Sequence, residues 1–272
     1  MSFWDHLEEL RWTLFRIIIA LSIFAIGAFA VMPWFFDTVI MAPAKPDFFL
    51  YDYMCRLLPS NSMFFPNFCD DDFHVDMVNI ELTAPFLRHL STSGWVALVL
   101  ICPYILFEVW RFIRPALYEH EKKNVRWVFM FGSVMFFIGC FVGYTLIFPM
   151  TLRFLYGYTL SPTIHNQVSL DSYLSIFITM IMLMGLVFEM PLISWLFSQF
   201  GILKRSFFKT YRRHAIVVLL ILAAIITPTG DPFTLSLVFV PLYALYELSV
   251  LIVKKDDPEE EEEAEKLPAN VT

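Results

Sequence analysis

Long apolar runs separated by short polar islands make up this chain, and the length of each run says more than its internal period. Six runs approach or exceed the length a membrane requires, roughly Trp12–Met32, Leu90–Phe112, Arg126–Phe148, Tyr173–Phe197, Tyr211–Ile226 and Phe233–Val253. About 20 helical residues rising about 1.5 Å each cross about 30 Å of hydrocarbon. Inside hydrocarbon the backbone must satisfy its own hydrogen bonds, so each run is expected to be a helix. The fifth run rises only about 24 Å, shorter than the usual hydrocarbon thickness. Thr227 to Pro232 then makes a tight turn into the sixth run, which Pro241 is expected to interrupt. An even number of crossings leaves both ends on one side.

The polar islands divide into two classes by charge. Fifteen of the 19 lysines and arginines fall beside the termini and in the islands that share their side, while Lys45, Arg56, Arg88 and Arg153 fall on the other. Basic loops stay cytoplasmic, so both termini are assigned to the cytoplasm. The expected organisation is a single six-helix domain over residues 1–253. It comprises a short interfacial helix over 2–11, an outer cap loop over 33–89 and a cytoplasmic loop over 113–123. Ser2 and Asp5 match a capping box, and Phe3, Leu7, Leu10 and Leu14 form an apolar stripe.

Composition sharpens this picture. The chain is 58% hydrophobic and 17% charged with 30 phenylalanines among 272 residues, too apolar for a soluble globule of that size. Asp5, Glu8, Glu9 and Arg11 precede a first run of full spanning length, so a cleaved secretory signal is not expected. The net charge of −7 reflects the acidic tail over 254–272, expected to be solvated and disordered. The rest is near neutral, which gives no reason to expect a nucleic-acid partner.

Local pairing singles out two cytoplasmic acids. In Phe112-Ile113-Arg114-Pro115-Ala116-Leu117-Tyr118-Glu119-His120-Glu121-Lys122-Lys123, Pro115 ends the incoming helix and a new one is expected from near Tyr118. Glu119 has Lys122 and Lys123 three and four residues on, whereas Glu121 faces Asn124 and Val125. Before the first run Glu8 can pair with Arg11, and Glu9 finds no strong cation within helical reach. Deeper in the membrane, Glu189 has no basic residue within two turns on its own helix. A carboxylate there costs on the order of 3 kcal/mol on insertion scales. It is either a protonated glutamate bonded within the bundle or a functional group whose partner comes from another helix, water or another chain. Pro191 is expected to bend the helix just beyond it.

Other chemistry is absent from the pattern. His120-Glu121-Lys122-Lys123-Asn124 misses the zinc-peptidase motif, because Asn124 stands where the second histidine ligand belongs. No nucleophile elbow, phosphate-binding loop or dinucleotide fingerprint occurs, so neither an enzyme activity nor a cofactor is expected. Cys55 and Cys69, both in the outer segment, are either disulfide-bonded or two free thiols. Cys102 and Cys140 lie within spans as packing residues.

Laid out in order, His6-Leu7-Glu8-Glu9-Leu10-Arg11, Phe112 to Lys122, Phe188-Glu189-Met190-Pro191, Thr227 to Asp231 and Leu242 to Glu247 resemble the TatC family, the receptor subunit of the twin-arginine protein translocase. The resemblance implies an all-α polytopic protein of the bacterial cytoplasmic (inner) membrane, a glove-shaped bundle with a concave face. It implies that the protein binds the signal peptides of folded precursors bearing paired arginines and works in an oligomeric complex with single-span TatA and TatB subunits. Transport would use the proton-motive force. By the same resemblance Glu9 and Glu121 contact the twin arginines, while Phe112, Pro115 and Leu117 shape the adjoining surface. Glu189 matches an intramembrane glutamate on the concave face, Pro43 an outer-cap proline, and Asp231 an aspartate in the turn before the sixth span. Leu235 stands where several members have glutamine, and the stretch from Lys45 to Met77 is longer than is common. The rival reading from another class is a secondary transporter with Glu189 as its proton-coupled site, but no inverted repeat of span lengths accompanies it.

Overall fold

The computed structural model describes residues 3–57, 68–69, 73–113, 122–158, 161, 166–199, 202–227 and 230–253. Ten α-helices dominate the described residues: α1 (Phe3–Phe35), α2 (Phe49–Leu57), α3 (Ala84–Ile113), α4 (Lys122–Val142), α5 (Phe148–Gly157), α6 (Leu170–Val187), α7 (Met190–Gln199), α8 (Arg205–Thr210), α9 (Arg212–Ile226) and α10 (Pro232–Ile252). A two-residue strand β1 (Met77–Val78) pairs in parallel with β2 (Val168–Ser169), a small ladder that the apolar run lengths gave no reason to expect. Five helical stretches among the described residues are long and apolar enough to cross a membrane, in α1, α3, the α4–α5 rod, the α6–α7 pair and α10. At 15 residues α9 is apolar but rises only about 22 Å.

Several boundaries differ from those read off the sequence, each for a local reason. Residues 3–11 run without a break into the first span, because Leu10-Arg11-Trp12 contains neither glycine nor proline to stop the helix. The outer segment shrinks accordingly, since α1 reaches Phe35 and α3 starts at Ala84. The third span runs through a π turn at Gly143–Ile147 into α5. Pro241 does not interrupt the sixth span: α10 is continuous through it, as α3 is through Pro103. In hydrocarbon a break would expose several backbone groups, whereas a proline within a helix removes one hydrogen bond. At Pro191 the outcome is the opposite. The helix breaks at Phe188–Glu189, ahead of the proline rather than beyond it, and restarts with Pro191 in the first turn of α7, where its missing N–H costs nothing.

The chain forms two compact units, Met1–Gly185 and Leu186–Thr272. In the first, α1 and α3 pack along one another, and Tyr173 of α6 donates to the Ile40 carbonyl at 2.6 Å. Helices α4 and α6 approach closely through two glycines. A Cβ at Gly143 would sit 3.1 Å from the Ile181 backbone, and one at Gly185 would lie 2.7 Å from Cys140 Sγ. Small residues at such crossings let membrane helices pack by van der Waals contact. In the second unit α10 packs against α7 and α9, and Tyr246 donates to the Phe208 carbonyl at 2.7 Å, fixing α8 on α10.

An aromatic cap closes the outer side of the first unit. Arg153 of α5, 3% exposed, lies with its guanidinium 4.0 Å from the Tyr51 ring centre and 4.4 Å from that of Phe73. Burial of this cation is offset by the negative faces of the rings. A disulfide joins Cys55 at the end of α2 to Cys69, with a Cα–Cα distance of 5.1 Å.

Candidate functional site

Glu9 lies in the first turns of α1, half-buried, and carries no ion pair or hydrogen bond among the described residues. The pairing expected of its neighbour is not formed either. Glu8 is exposed, and Arg11 instead holds its guanidinium 5.6 Å from the Phe15 ring centre one turn on. What separates the two acids is therefore burial: Glu9 is partly desolvated and Glu8 is not. Glu121, Pro115 and Leu117 lie outside the described residues, as do most of the cytoplasmic loop over 113–123 and the tail over 254–272. Phe112, half-buried, closes the last turn of α3.

A contact that local pairing could not reveal sets the level of these groups. Arg16 Nε donates to Glu108 Oε2 at 3.0 Å, Tyr104 donates its hydroxyl to Glu108 Oε1 at 3.1 Å, and Glu108 is only 2% exposed. The partners are 92 residues apart in sequence. The signal for it was one acid and one base, each about a turn inside the cytoplasmic end of two adjacent antiparallel spans. Because the pair puts Arg16 and Glu108 at one height, Ile113 lies about 7.5 Å and Glu9 about 10.5 Å further toward the cytoplasm along their helices. The end of α3 at Ile113 thus lies about 3 Å short of the level of Glu9.

The remaining sequence-selected residues occupy three separate places. Glu189 sits in the break between α6 and α7, 6% exposed, and both carboxylate oxygens are without a hydrogen-bond partner among the described residues. Its backbone N–H donates to the Leu186 carbonyl at 3.1 Å, the tightened spacing of a terminating helix. Pro43 is buried in a short 3-10 turn, and its carbonyl accepts the Tyr51 hydroxyl at 2.6 Å, so it anchors the aromatic cap. Asp231 caps α10: Oδ1 accepts the Thr234 N–H at 2.7 Å, and Pro232 follows in the first turn. Glu247 of α10 pairs with Arg212 of α9 at 2.6 Å. No group of three or more metal-ligating side chains occurs among the described residues.

The relatives of this chain agree with that frame along nearly its whole length. The family model described as "Sec-independent protein translocase protein (TatC)" matches residues 5–241. The protein of that name from Blattabacterium sp. subsp. Periplaneta americana is 32% identical over 252 residues, covering 93% of this chain and 94% of its own. That from Koribacter versatilis is 33% identical over 251 residues, covering 92% and 84%. A crystal structure described as the twin arginine translocase receptor TatC superposes with a TM-score of 0.69 at 28% identity, over 91% of this chain and 97% of that one. The chain belongs to the TatC family, and is a twin-arginine translocase component and integral protein of the bacterial inner membrane.

Proposed function

We propose that this protein is the receptor and scaffold of its translocase, binding twin-arginine signal peptides and passing folded precursors across the membrane at the expense of the proton-motive force. Glu9 and Glu121 receive the two guanidinium groups, and Phe112, Pro115 and Leu117 shape the surface beside them. A carboxylate takes a guanidinium through two parallel hydrogen bonds that an ammonium cannot reproduce, so a pair of acids can select arginine over lysine. The observation that supports the reading is the Arg16–Glu108 contact, whose register sets Glu9 within about 3 Å of the level at which α3 ends. Glu189, buried without a partner, lines the place where the apolar part of the signal peptide or a partner helix rests. Single-span subunits of the TatA and TatB type complete the working complex, and α9 serves as a short sixth crossing. Nothing in the fold or among the relatives favours a secondary transporter.

The decisive experiment is site-specific crosslinking of a twin-arginine precursor to membranes containing the Glu9→Ala or Glu121→Ala protein. Each substitution is expected to reduce the crosslink at least about tenfold, since a charge-assisted hydrogen bond contributes about 1.5–3 kcal/mol. Undiminished crosslinking in both variants defeats the assignment.

A further inference from the structure

The outer half of the first unit contains a groove of about 670 Å³ whose walls come from α1, α3, the π turn after α4, and α6. Its lining is apolar over most of its length, with Val31, Val99, Phe141 and Ile181 among the walls. Gly27 faces it, and a Cβ there would meet nothing within 4 Å. Two residues with hydroxyl groups, Tyr144 and Thr92, are among its lining. The Tyr144 hydroxyl donates to the Val39 carbonyl at 2.9 Å. The Thr92 hydroxyl, on a residue 2% exposed, has no hydrogen-bond partner among the described residues. Its neighbour Ser93 takes the usual helical outlet, donating to the His89 carbonyl at 2.7 Å, and Thr92 does not. A buried hydroxyl without a hydrogen bond is costly and points to an acceptor that arrives from outside.

Thr92 and Met32 also line a second, more polar cavity of about 330 Å³ at the outer end, so the two spaces adjoin. This end carries charges of both signs. Arg88 lines it, using Nε and Nη2 on the single Oδ1 of Asp171 and leaving further donors of its fork to face a ligand. Asp37 lines it as well, its backbone carbonyl receiving Lys45 Nζ at 3.2 Å. His89 is engaged, its Nε2 3.0 Å from the Phe29 carbonyl and its ring stacked on Phe29. Arg88 and Asp37, one cation and one anion lining this mouth, match a head group that is itself zwitterionic, and a net anion gains less there.

We propose that the groove and the adjoining cavity together bind one phosphatidylethanolamine molecule of the outer leaflet. One acyl chain lies along the apolar wall past Gly27, an ester carbonyl accepts the Thr92 hydroxyl, the phosphate meets Arg88, and the ammonium faces Asp37. The order along the groove, apolar slot then lone hydroxyl then mixed charge, is the order of chain, ester and head group in such a lipid.

The test is native mass spectrometry of the purified full-length chain in detergent, titrated with palmitoyl-oleoyl phosphatidylethanolamine, with phosphatidylglycerol of the same chains, and with phosphoethanolamine alone. One phosphatidylethanolamine is expected to remain bound, with phosphatidylglycerol retained about tenfold less and phosphoethanolamine not at all. Gly27→Phe, which fills the slot, should abolish retention. Thr92→Val, nearly isosteric, should weaken it about three- to tenfold, and Arg88→Gln about tenfold or more. Helix content and thermal unfolding of each variant establish that it is folded. Equal retention of the two lipids, binding of phosphoethanolamine alone, or retention unchanged in folded Gly27→Phe or Thr92→Val overturns the proposal. So does a wild-type chain that holds no lipid while its Gly27→Cys variant crosslinks a single-span helix through that position.

Discussion

Glu108 occupies a position where an unpaired carboxylate is expensive, and the chain meets that cost with Arg16 and Tyr104. The two members of the ion pair are not equivalent. Arg16 is about a third exposed and can turn its long side chain to the interface, whereas Glu108 cannot leave its burial. Arg16→Leu is therefore expected to destabilise by about 3 kcal/mol, the penalty of an uncompensated buried charge. Glu108→Gln should cost about 1 kcal/mol, and the double change to leucines should restore most of the loss. Unfolding titrations in mixed detergent micelles would read all three, and equal losses in the two single variants would refute the asymmetry. Helix-local bookkeeping over three or four residues had no means to find this pair, because its members come together only when α1 lies against α3. The same reasoning credited Glu8 with Arg11, yet Arg11 stacks on Phe15 instead. An exposed arginine beside an aromatic ring gains as much there as in a solvent-screened ion pair.

Among the elements, the short ones carry the clearest predictions. Asp231 holds the start of α10 through the Thr234 N–H, so Asp231→Ala is expected to cost about 1 kcal/mol, while Asp231→Asn should keep most of the cap. Thermal unfolding of the two variants checks this, and an Asn variant that is stable but inactive in transport would show that the charge has a further task. The outer cap rests on the Cys55–Cys69 bond and on the rings around Arg153. For a closed loop of about 15 residues a disulfide contributes about 3 kcal/mol by constraining the unfolded chain. Reduction is thus expected to speed proteolysis within residues 45–77 while leaving the span helices protected, and equal cleavage with and without reductant would show that the rings suffice. Span lengths were readable from the apolar runs, because hydrocarbon thickness dictates them. The fates of the prolines were not. Pro103 and Pro241 lie inside continuous helices and Pro191 in the first turn of a new one, and no local rule distinguishes them.

At the scale of the whole molecule, the receptor reading requires Glu9 and Glu121 to be reachable by one short peptide. Cysteines replacing both should join through a bis-maleimide spanning about 8–10 Å, given that α3 ends within about 3 Å of the level of Glu9 on α1. A pair that joins only through a much longer reagent would separate the two acids and end the two-carboxylate mechanism, whatever the family. Apolar run length and lysine and arginine asymmetry determined that the chain is a polytopic α-helical membrane protein, because bilayer thickness and the cost of burying charge act directly on the linear chain, while four motifs in order carried the resemblance to the TatC family. Only the tertiary structure decided that Glu108 meets Arg16, that Tyr51 and Phe73 enclose Arg153, and that Thr92 is left with an unpaired hydroxyl on the wall of an apolar groove. Each of these depends on residues far apart in sequence, and a pattern confined to neighbouring positions carries no record of what another helix brings against it.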